Sequence, residues 1–281
     1  MRARDIDLLP DLAISVVLFH SSLDRFALLL ESLTRALRNT TLSEVVLVCI
    51  DHSQDEEYST GGRTVCARFH GRNGLRIRWI SAKENPGYGA GHNYALREVG
   101  SRYHLILNPD VELDENSLSI AIETLDTRGD IALLAPVGLN QFREPQYLAK
   151  AFPSLWVLGL RAFAPKWLQK FGARSLARYE LRDQVATDDS TRSITLASGC
   201  CMWIRRELLD RIGGFDESFF LYFEDYDLSL RLSSLGMVVE HHEIHIIHHG
   251  GGVSQKGWRH VGWFVTGGAR FFNRWGWRWF G

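Results

Sequence analysis

Cysteine is scarce in this 281-residue chain and carries no pattern: Cys49, Cys66, Cys200 and Cys201 offer no C-x-x-C spacing, and two of the four are neighbours. That disfavours a disulfide framework and fits free thiols in a reducing compartment. Long apolar runs are missing too, since no stretch approaches the roughly 18 continuous apolar residues that a spanning helix needs. Near the start, Asp5 and Asp7 precede a short run, Leu12–Phe19, interrupted by Ser15. It reads as a first core strand and not as a signal peptide. The expected location is cytoplasmic, with attachment to a membrane surface as the furthest departure. Neither sign of charge dominates. The formal net charge is −1, so no polybasic field points to nucleic acid and no acidic run points to disorder. Internal repeats and low-complexity segments are also absent. What is present is apolar mass: 45% of the residues are hydrophobic, enough for one substantial core or two small ones. Tryptophan is the oddity. Of nine, Trp258, Trp263, Trp275, Trp277 and Trp279 crowd the C-terminal end.

The first half alternates short apolar runs with helical patterns. Strand-like runs are Leu12–Phe19, Glu44–Ile50, Leu75–Ser81, Tyr103–Asn108 and Ile131–Ala135, each ending at polar or Gly/Pro residues. Between them, Ser22–Arg38 has leucines at helical spacing, and Ala90–Val99 and Glu115–Thr127 are further helix candidates. Alternating strands and helices predict an α/β fold with right-handed βαβ units and a largely parallel sheet. Ligands of such sheets sit outside the carboxyl ends of the strands. Those ends carry His20-Ser21, Asp51-His52-Ser53 and Asn108-Pro109-Asp110. Residues 137–192 break the rhythm with Pro145, Pro153 and Pro165, an aromatic-rich middle and a basic stretch around Lys166–Arg178. They read as an insertion or lid over part of the active face, too aromatic for a disordered linker. Order resumes with a strand over Ile194–Ile204, broken at Ser198-Gly199, and a helix over Arg205–Ile212.

Several motifs can carry chemistry. Asp51 closes a strand, where its carboxylate can accept a hydrogen bond from a pyrimidine N–H or simply start a turn. Asn85-Pro86-Gly87-Tyr88-Gly89-Ala90-Gly91-His92-Asn93 is a glycine-rich loop entering a helix. Such loops offer backbone N–H groups to an anion, and a plain turn is the competing reading. A dinucleotide fingerprint is a third: Gly87-x-Gly89 is there, but His92 occupies the third glycine position. Asp110 stands just past a buried strand, fixed by Pro109, where a hard divalent ion can share it with a diphosphate. Glu224-Asp225 opens a helix immediately behind the bulky run Phe219–Phe223. Acids at a helix start are favoured by the macrodipole, and Asp227 and Arg231 form an i,i+4 pair. Aromatic walls, however, desolvate a carboxylate and raise its proton affinity, as a general base requires. His245, His248 and His249 precede Gly250-Gly251-Gly252-Val253-Ser254, read as a loop, and one imidazole can complete an oxygen-rich metal site. Trp258–Phe280 reads as an amphipathic helix, either lying in a membrane interface or closing the domain.

Taken in order, these pieces resemble the family 2, GT-A-fold glycosyltransferases, particularly bacterial rhamnosyltransferase-like members. The resemblance runs from about Leu12 to Ser254. It is carried by Asn85–Asn93, Leu107–Val111 and above all the run from Gly213 to Asp227. It implies a single Rossmann-like nucleotide-binding sheet with helices on both faces and an acceptor-side insertion. The implied layout is a glycosyltransferase domain over 1–254, followed by a Trp/Arg-rich helix over 255–281. Within the domain, 11–136 would hold the nucleotide sugar, 137–192 the insertion, and 193–254 the acceptor and catalytic half.

The resemblance also implies residue roles. Asp51 would contact the nucleobase, with Asn85, Gly87, Gly91, Asn93, Asn108 and Asp110 around the donor. Asp110, with His248 or His249, would hold Mg²⁺ or Mn²⁺. Asp225, beside Glu224, would be the base of an inverting transfer. The first acid of the family's Asp-x-Asp element is Asn108 here, which contributes no charge to a metal site. His20 fits donor binding only loosely. The implied donor is a dTDP- or UDP-sugar, with dTDP-L-rhamnose first. The implied acceptor is a cell-surface glycan or lipid-linked hydroxyl, and the tryptophan-rich tail would touch the inner membrane. A dinucleotide-dependent oxidoreductase and a non-catalytic nucleotide-sugar-binding module are the alternatives.

Overall fold

The computed structural model describes residues 9–165, 170–182, 190–250 and 257–280. Its first half is the predicted one. Strands β1 (Leu12–Leu18), β2 (Val45–Asp51), β3 (Leu75–Ser81) and β4 (Tyr103–Leu107) lie parallel in the order β3-β2-β1-β4. Every residue of β1, β2 and β4 is buried, as expected where helices cover both faces of a parallel sheet. One face of β1 (Leu12, Ile14, Val16, Leu18) packs under α1 (Leu23–Leu37) and α4 (Ser117–Thr127). The other (Ala13, Val17) meets α3 (Tyr88–Glu98) through Ala95. Inside the sheet, the Ser15 hydroxyl lies 2.6 Å from His92 Nδ1 and 2.8 Å from His104 Nε2, tying β1, α3 and β4.

The second half departs from the expected parallel arrangement. The remaining strands are β5 (Val111–Leu113), β6 (Ile131–Leu139), β7 (Thr191–Ser193), β8 (Cys201–Arg205) and β9 (Met237–His248). The sheet continues β4-β8-β6-β9-β5, with β7 on β9. β8 runs antiparallel between β4 and β6. It is entered from the long excursion after β6 and not through a βαβ crossover, so the handedness rule does not fix its direction. Of the strand expected over Ile194–Ile204 and broken at Ser198-Gly199, only the part after the break forms one, β8; before it Leu196 makes an isolated bridge to Lys150. His245 and His248, expected in a loop, belong to β9, and residues 251–254 lie outside the described residues.

A second, aromatic core sits beside the sheet. It joins α5 (Leu155–Phe163), α6 (Ala173–Tyr179), the run before α8 (Glu224–Leu232) and α9 (Trp258–Trp275). α8 itself packs its Leu228 and Leu232 with α7 (Arg206–Ile212) against the sheet. Asp227 is fully buried and collects Arg231 Nε (2.6 Å), Trp275 Nε1 (2.9 Å) and Arg274 Nη1 (3.1 Å). The inner face of the C-terminal helix thus closes the domain. Trp258, Trp277 and Trp279 stay exposed.

One helix, α2 (Glu56–Ala67), escapes the sequence reading because Gly61-Gly62 and its Ser/Thr content look helix-averse. Asp55 caps it, accepting from the N–H groups of Glu57 and Tyr58. The glycines are there for closeness: a methyl at Gly62 would run into the Trp79 ring, and one at Gly61 would lie 2.8 Å from Leu23 Cδ1. Gly62→Ala should therefore destabilise by about 1–3 kcal/mol through overpacking, despite alanine's better helix propensity. Urea unfolding decides, and a stabilised variant would refute the packing account.

Candidate active site

The four parallel strands deliver their ends to one edge, with Leu18 beside Asp51 and Asp51 beside Ser81. Because β8 is reversed, its beginning arrives at that same edge. Leu107 pairs with Cys201, and the Asn108 N–H donates to the Cys200 carbonyl at 2.9 Å. Gly199 is thereby set next to Asn108. Its N–H donates to Asp225 Oδ2 at 2.9 Å. The start of α8 and the end of β4 accordingly meet around Gly199, at the edge where the parallel strands end.

Asp225 Oδ1 also accepts the Tyr226 N–H at 2.9 Å. The residue keeps partial access to solvent, yet protein crowds the carboxyl, and burial pushes it up to about 6 against the pull of these N–H bonds. Burial outweighs the helix dipole, whose roughly 0.3–1 kcal/mol favours the anion. Its neighbour Glu224 is buried more completely. Burial, then the charge of Asp225, raises its pKa well above the usual carboxylate range, and among the described residues Oε2 has no hydrogen-bond partner. Backbone strain precedes the pair. Tyr222 (φ 73°) and Phe223 (φ 68°) are both left-handed, a conformation costing about 1–3 kcal/mol for each such residue. Phe219 and Phe223, on either side of this turn, lie in the aromatic core.

Tyr88 is the residue the sequence reading passed over. Its hydroxyl lies 2.9 Å from Asn108 Oδ1 and 2.7 Å from the Gly199 carbonyl. Its own N–H donates to the Phe220 carbonyl at 2.9 Å, and its ring stands edge-on to His92, centroids 4.4 Å apart. Burial raises its pKa well above the normal phenol value, so the hydroxyl keeps its proton. The signal was present, an aromatic inside a glycine-rich loop, but its partners are 20 and 111 residues away.

The residues expected around the donor separate into two groups. Asn85 is half-buried; its Oδ1 accepts the Gly87 N–H at 3.0 Å, and it also engages His52. Gly87, Gly91 and Asn93 are taken up by packing. Gly87 (φ 107°) presses on the Phe220 backbone, and a methyl at Gly91 would lie 2.6 Å from Val17 Cγ2. Asn93 bolts the Gly214–Phe215 turn: Oδ1 accepts the Phe215 N–H at 2.8 Å, and Nδ2 donates to the Phe215 carbonyl and Glu217, both at 2.9 Å. These contacts account for the glycines and for Asn93 by packing. Asp51 is 1% exposed, with Oδ1 on the Ser53 N–H at 2.8 Å and Oδ2 on the Ser59 hydroxyl. Its visible work is to hold its own turn. His20 (φ 49°) is exposed at the same edge against Phe19 and Tyr58.

Asp110 and the histidines divide as well. β5 pairs with β9 so that Val111 opposes His248, bringing His248 Nε2 within 3.6 Å of Asp110 Oδ1. His248 Nδ1 lies 3.0 Å from Gln146 Oε1, which orients the ring and leaves Nε2 toward Asp110. A methyl on Gly250 would lie 2.7 Å from His248 Nε2 and 2.8 Å from Asp110 Oδ2, so only glycine keeps that space open. An imidazole, a carboxylate and a cleared gap between them fit a divalent ion that takes its other oxygens from a ligand. His249 is engaged elsewhere, its Nε2 2.5 Å from Glu112 Oε1. Among the described residues no cluster of three metal-ligating side chains occurs.

A family model described as glycosyltransferase-like family 2 matches residues 10–249. The N-acetylglucosaminyl-diphospho-decaprenol L-rhamnosyltransferase of Mycobacterium tuberculosis is 25% identical over 189 residues, 60% of this chain and 60% of that protein. Rhamnosyltransferase WbbL of Escherichia coli is 26% identical over 180 residues, 58% of this chain and 62% of its own. The match thus spans about three fifths of these relatives. Among solved structures, GalNAc-T7 with UDP, GalNAc and Mn²⁺ superposes with a TM-score of 0.65 at 14% identity, covering 95% of this chain and 48% of that one. The mannosyltransferase PcManGT of Pyrobaculum calidifontis, with GDP-Man and Mn²⁺, gives 0.55 at 16% identity, covering 89% and 59%. The fold is of the GT-A type.

Tyr88→Phe would strand the Gly199 carbonyl and the Asn108 amide without their shared hydroxyl. A loss of about 1–3 kcal/mol is expected, read as a lowered urea midpoint at unchanged m-value; an unchanged midpoint would show that the hydroxyl holds nothing.

Proposed function

The chain belongs to glycosyltransferase family 2, and from that premise we propose that it transfers a sugar from a nucleotide diphosphate to an acceptor hydroxyl, with inversion and with Asp225 as base. One observation carries this reading. Asp225 is partly exposed as a residue, its carboxyl held by two N–H groups and pushed up to about 6 by burial, at the edge where Asn108 and Asp110 follow β4. A carboxylate with that affinity is unprotonated at neutral pH and still basic enough to take a hydroxyl proton.

In the proposed step, Asp225 accepts the acceptor's proton as its oxygen attacks the anomeric carbon. The bond from that carbon to the diphosphate oxygen breaks on the opposite face, and the nucleotide diphosphate leaves as an anion. Glu224, kept neutral beside the base, adds no second charge to the cleft. Asp110 and His248 would hold a divalent ion, which when bound supplies charge relief for the departing diphosphate. Asn108 and Tyr88 fix the end of β4 against Gly199, so that base and donor side keep one spacing. Within the chain we assign 11–136 to the donor, 137–192 to a cover on the acceptor side and 193–254 to the base and acceptor, with 255–281 as the closing helix.

The donor we infer is dTDP-L-rhamnose, ahead of UDP-sugars, and the acceptor a lipid-linked glycan. Two rhamnosyltransferase relatives, one named for a diphospho-decaprenol acceptor, support this. Among the described residues no helix is long and apolar enough to cross a membrane. The exposed tryptophans of the tail suit contact with a bilayer surface at the cytoplasmic side.

Asp225→Asn should lower turnover on the order of 10²–10⁴-fold while donor affinity persists, measured as sugar transfer or slow release of nucleotide diphosphate across a panel of nucleotide sugars. Near-normal turnover would remove Asp225 from the role. Because the base works unprotonated, kcat/KM should decline below pH about 6, approaching tenfold per pH unit, and stay level above it. Asp110→Asn should instead raise the Mg²⁺ or Mn²⁺ needed for half-maximal rate by roughly 10–100-fold or more, visible in a metal titration at fixed donor.

A further inference from the structure

We propose that Gln146 is a positioning residue for the Asp110–His248 pair: its amide dictates which nitrogen of the His248 ring carries the proton, so that Nε2 stands ready as an electron-pair donor to a cation. The inference rests on the metal reading above and deepens it, by reaching into the 137–192 segment for the group that prepares the ligand.

The direction of the amide is set by the backbone. Gln146 Nε2 donates to the main-chain carbonyl of His248 at 2.8 Å. A carbonyl can only accept, so the NH₂ end of the amide must face it; turned over, the amide would set two oxygens against each other. Oε1 is thereby left facing His248 Nδ1 at 3.0 Å. An amide oxygen also only accepts, so Nδ1 bears the hydrogen. A neutral imidazole carries one ring proton, and with that proton on Nδ1 the lone pair is on Nε2. One glutamine thus grips the backbone and the ring of the same residue, and tells the two ring nitrogens apart.

Nε2 points where positive charge is wanted. It lies 3.6 Å from Asp110 Oδ1, beyond hydrogen-bond reach. A lone pair and a carboxylate facing each other at that distance repel, and a cation between them turns the repulsion into two attractions. Gly250 passes beside both groups and adds no side chain to the gap.

The chain around Gln146 holds it to this place. Beyond β6, Asn140 closes a turn: Oδ1 accepts the N–H groups of Phe142 and Glu144 at 2.8 and 2.9 Å, and its own N–H donates to the Glu144 carbonyl at 2.9 Å. The chain then returns, with Leu139 bridging Pro145 and the Gln146 N–H donating to the Gly138 carbonyl at 2.9 Å. Gly138 makes room for that return, since a methyl on it would collide with Leu148 Cδ1. Gly138 also pairs with Ile246 on β9, so the returning chain is registered against the strand that carries His248.

The test uses full-length protein with ¹⁵N-labelled histidine, free of added metal, at about pH 9, above the ordinary histidine pKa of ~6.5. Long-range ¹H–¹⁵N correlation distinguishes protonated from bare ring nitrogens, and the signals lost in His248→Gln assign the residue. Wild-type His248 should show Nδ1 protonated and Nε2 bare, the reverse of the form that a free histidine side chain favours. Gln146→Met keeps the volume and removes the amide, and should return the ring to the Nε2–H form. Gln146→Glu keeps an acceptor and should retain the wild-type form. Mn²⁺ added alone near neutrality should broaden the His248 signals. Gln146→Met should need about 10–100-fold more ion for equal broadening, and Gln146→Glu close to the wild-type amount. A wild-type ring protonated at Nε2 would overturn the proposal. So would Gln146→Met with an unchanged ring or an unchanged response to Mn²⁺, which would leave Gln146 a loop-packing residue. Asp110→Asn responding to Mn²⁺ as the wild type does would overturn it through its metal premise. Release of nucleotide diphosphate from no nucleotide sugar would instead sink the transferase reading by itself, whatever the spectra gave.

Discussion

Much of this site hangs on the backbone of one residue, Gly199. Its N–H holds a carboxylate at the start of α8, and its carbonyl receives the hydroxyl of Tyr88 from the start of α3. Tyr88 in turn reaches Asn108 at the end of β4. Three elements from distant parts of the chain are thereby locked to one another through the N–H and the carbonyl of a single residue. A side chain there would be tight: a Cβ on Gly199 would sit 3.3 Å from both Asp225 Cβ and the Tyr88 ring. The lock exists only because β8 runs against its neighbours and begins where β4 ends.

Around that peptide the protein holds groups in states they would not choose in water. Glu224 is buried with no partner for one oxygen among the described residues, Asp225 sits above the normal carboxylate range, and two aromatic residues adopt left-handed backbone. Each is unfavourable alone. They persist because the aromatic core on one side and the sheet on the other leave the segment nowhere else to go.

The first four strands and α1, α3 and α4 were legible because burial on both faces writes itself as continuous apolar runs, and helices between them as spaced leucines. Asp225 was legible for a different reason, since acids directly behind five bulky residues make no sense as a solvated helix start. The reversal of β8 was not legible: a strand's direction depends on how the chain arrives, and 60 residues of irregular excursion carry no periodicity. Glycines serve close approach in two places. In α2 they looked like a break and serve close packing against Trp79. In the Asn85–Asn93 loop, expected to face a phosphate, they admit Phe220, Phe215 and Val17. Composition reveals that a backbone comes close to something, but not to what. His248 and His249 could not be told apart in sequence, whereas strand pairing sends one to Asp110 and the other to Glu112.

The C-terminal helix rests on the same strained turn. Gly267 lets it approach the Tyr222 carbonyl, where a methyl would come within 2.8 Å, and Trp275 and Arg274 grip Asp227 two residues beyond Asp225. The C-terminal helix is therefore no appendage: it is one of the walls that hold the turn and the start of α8 in place.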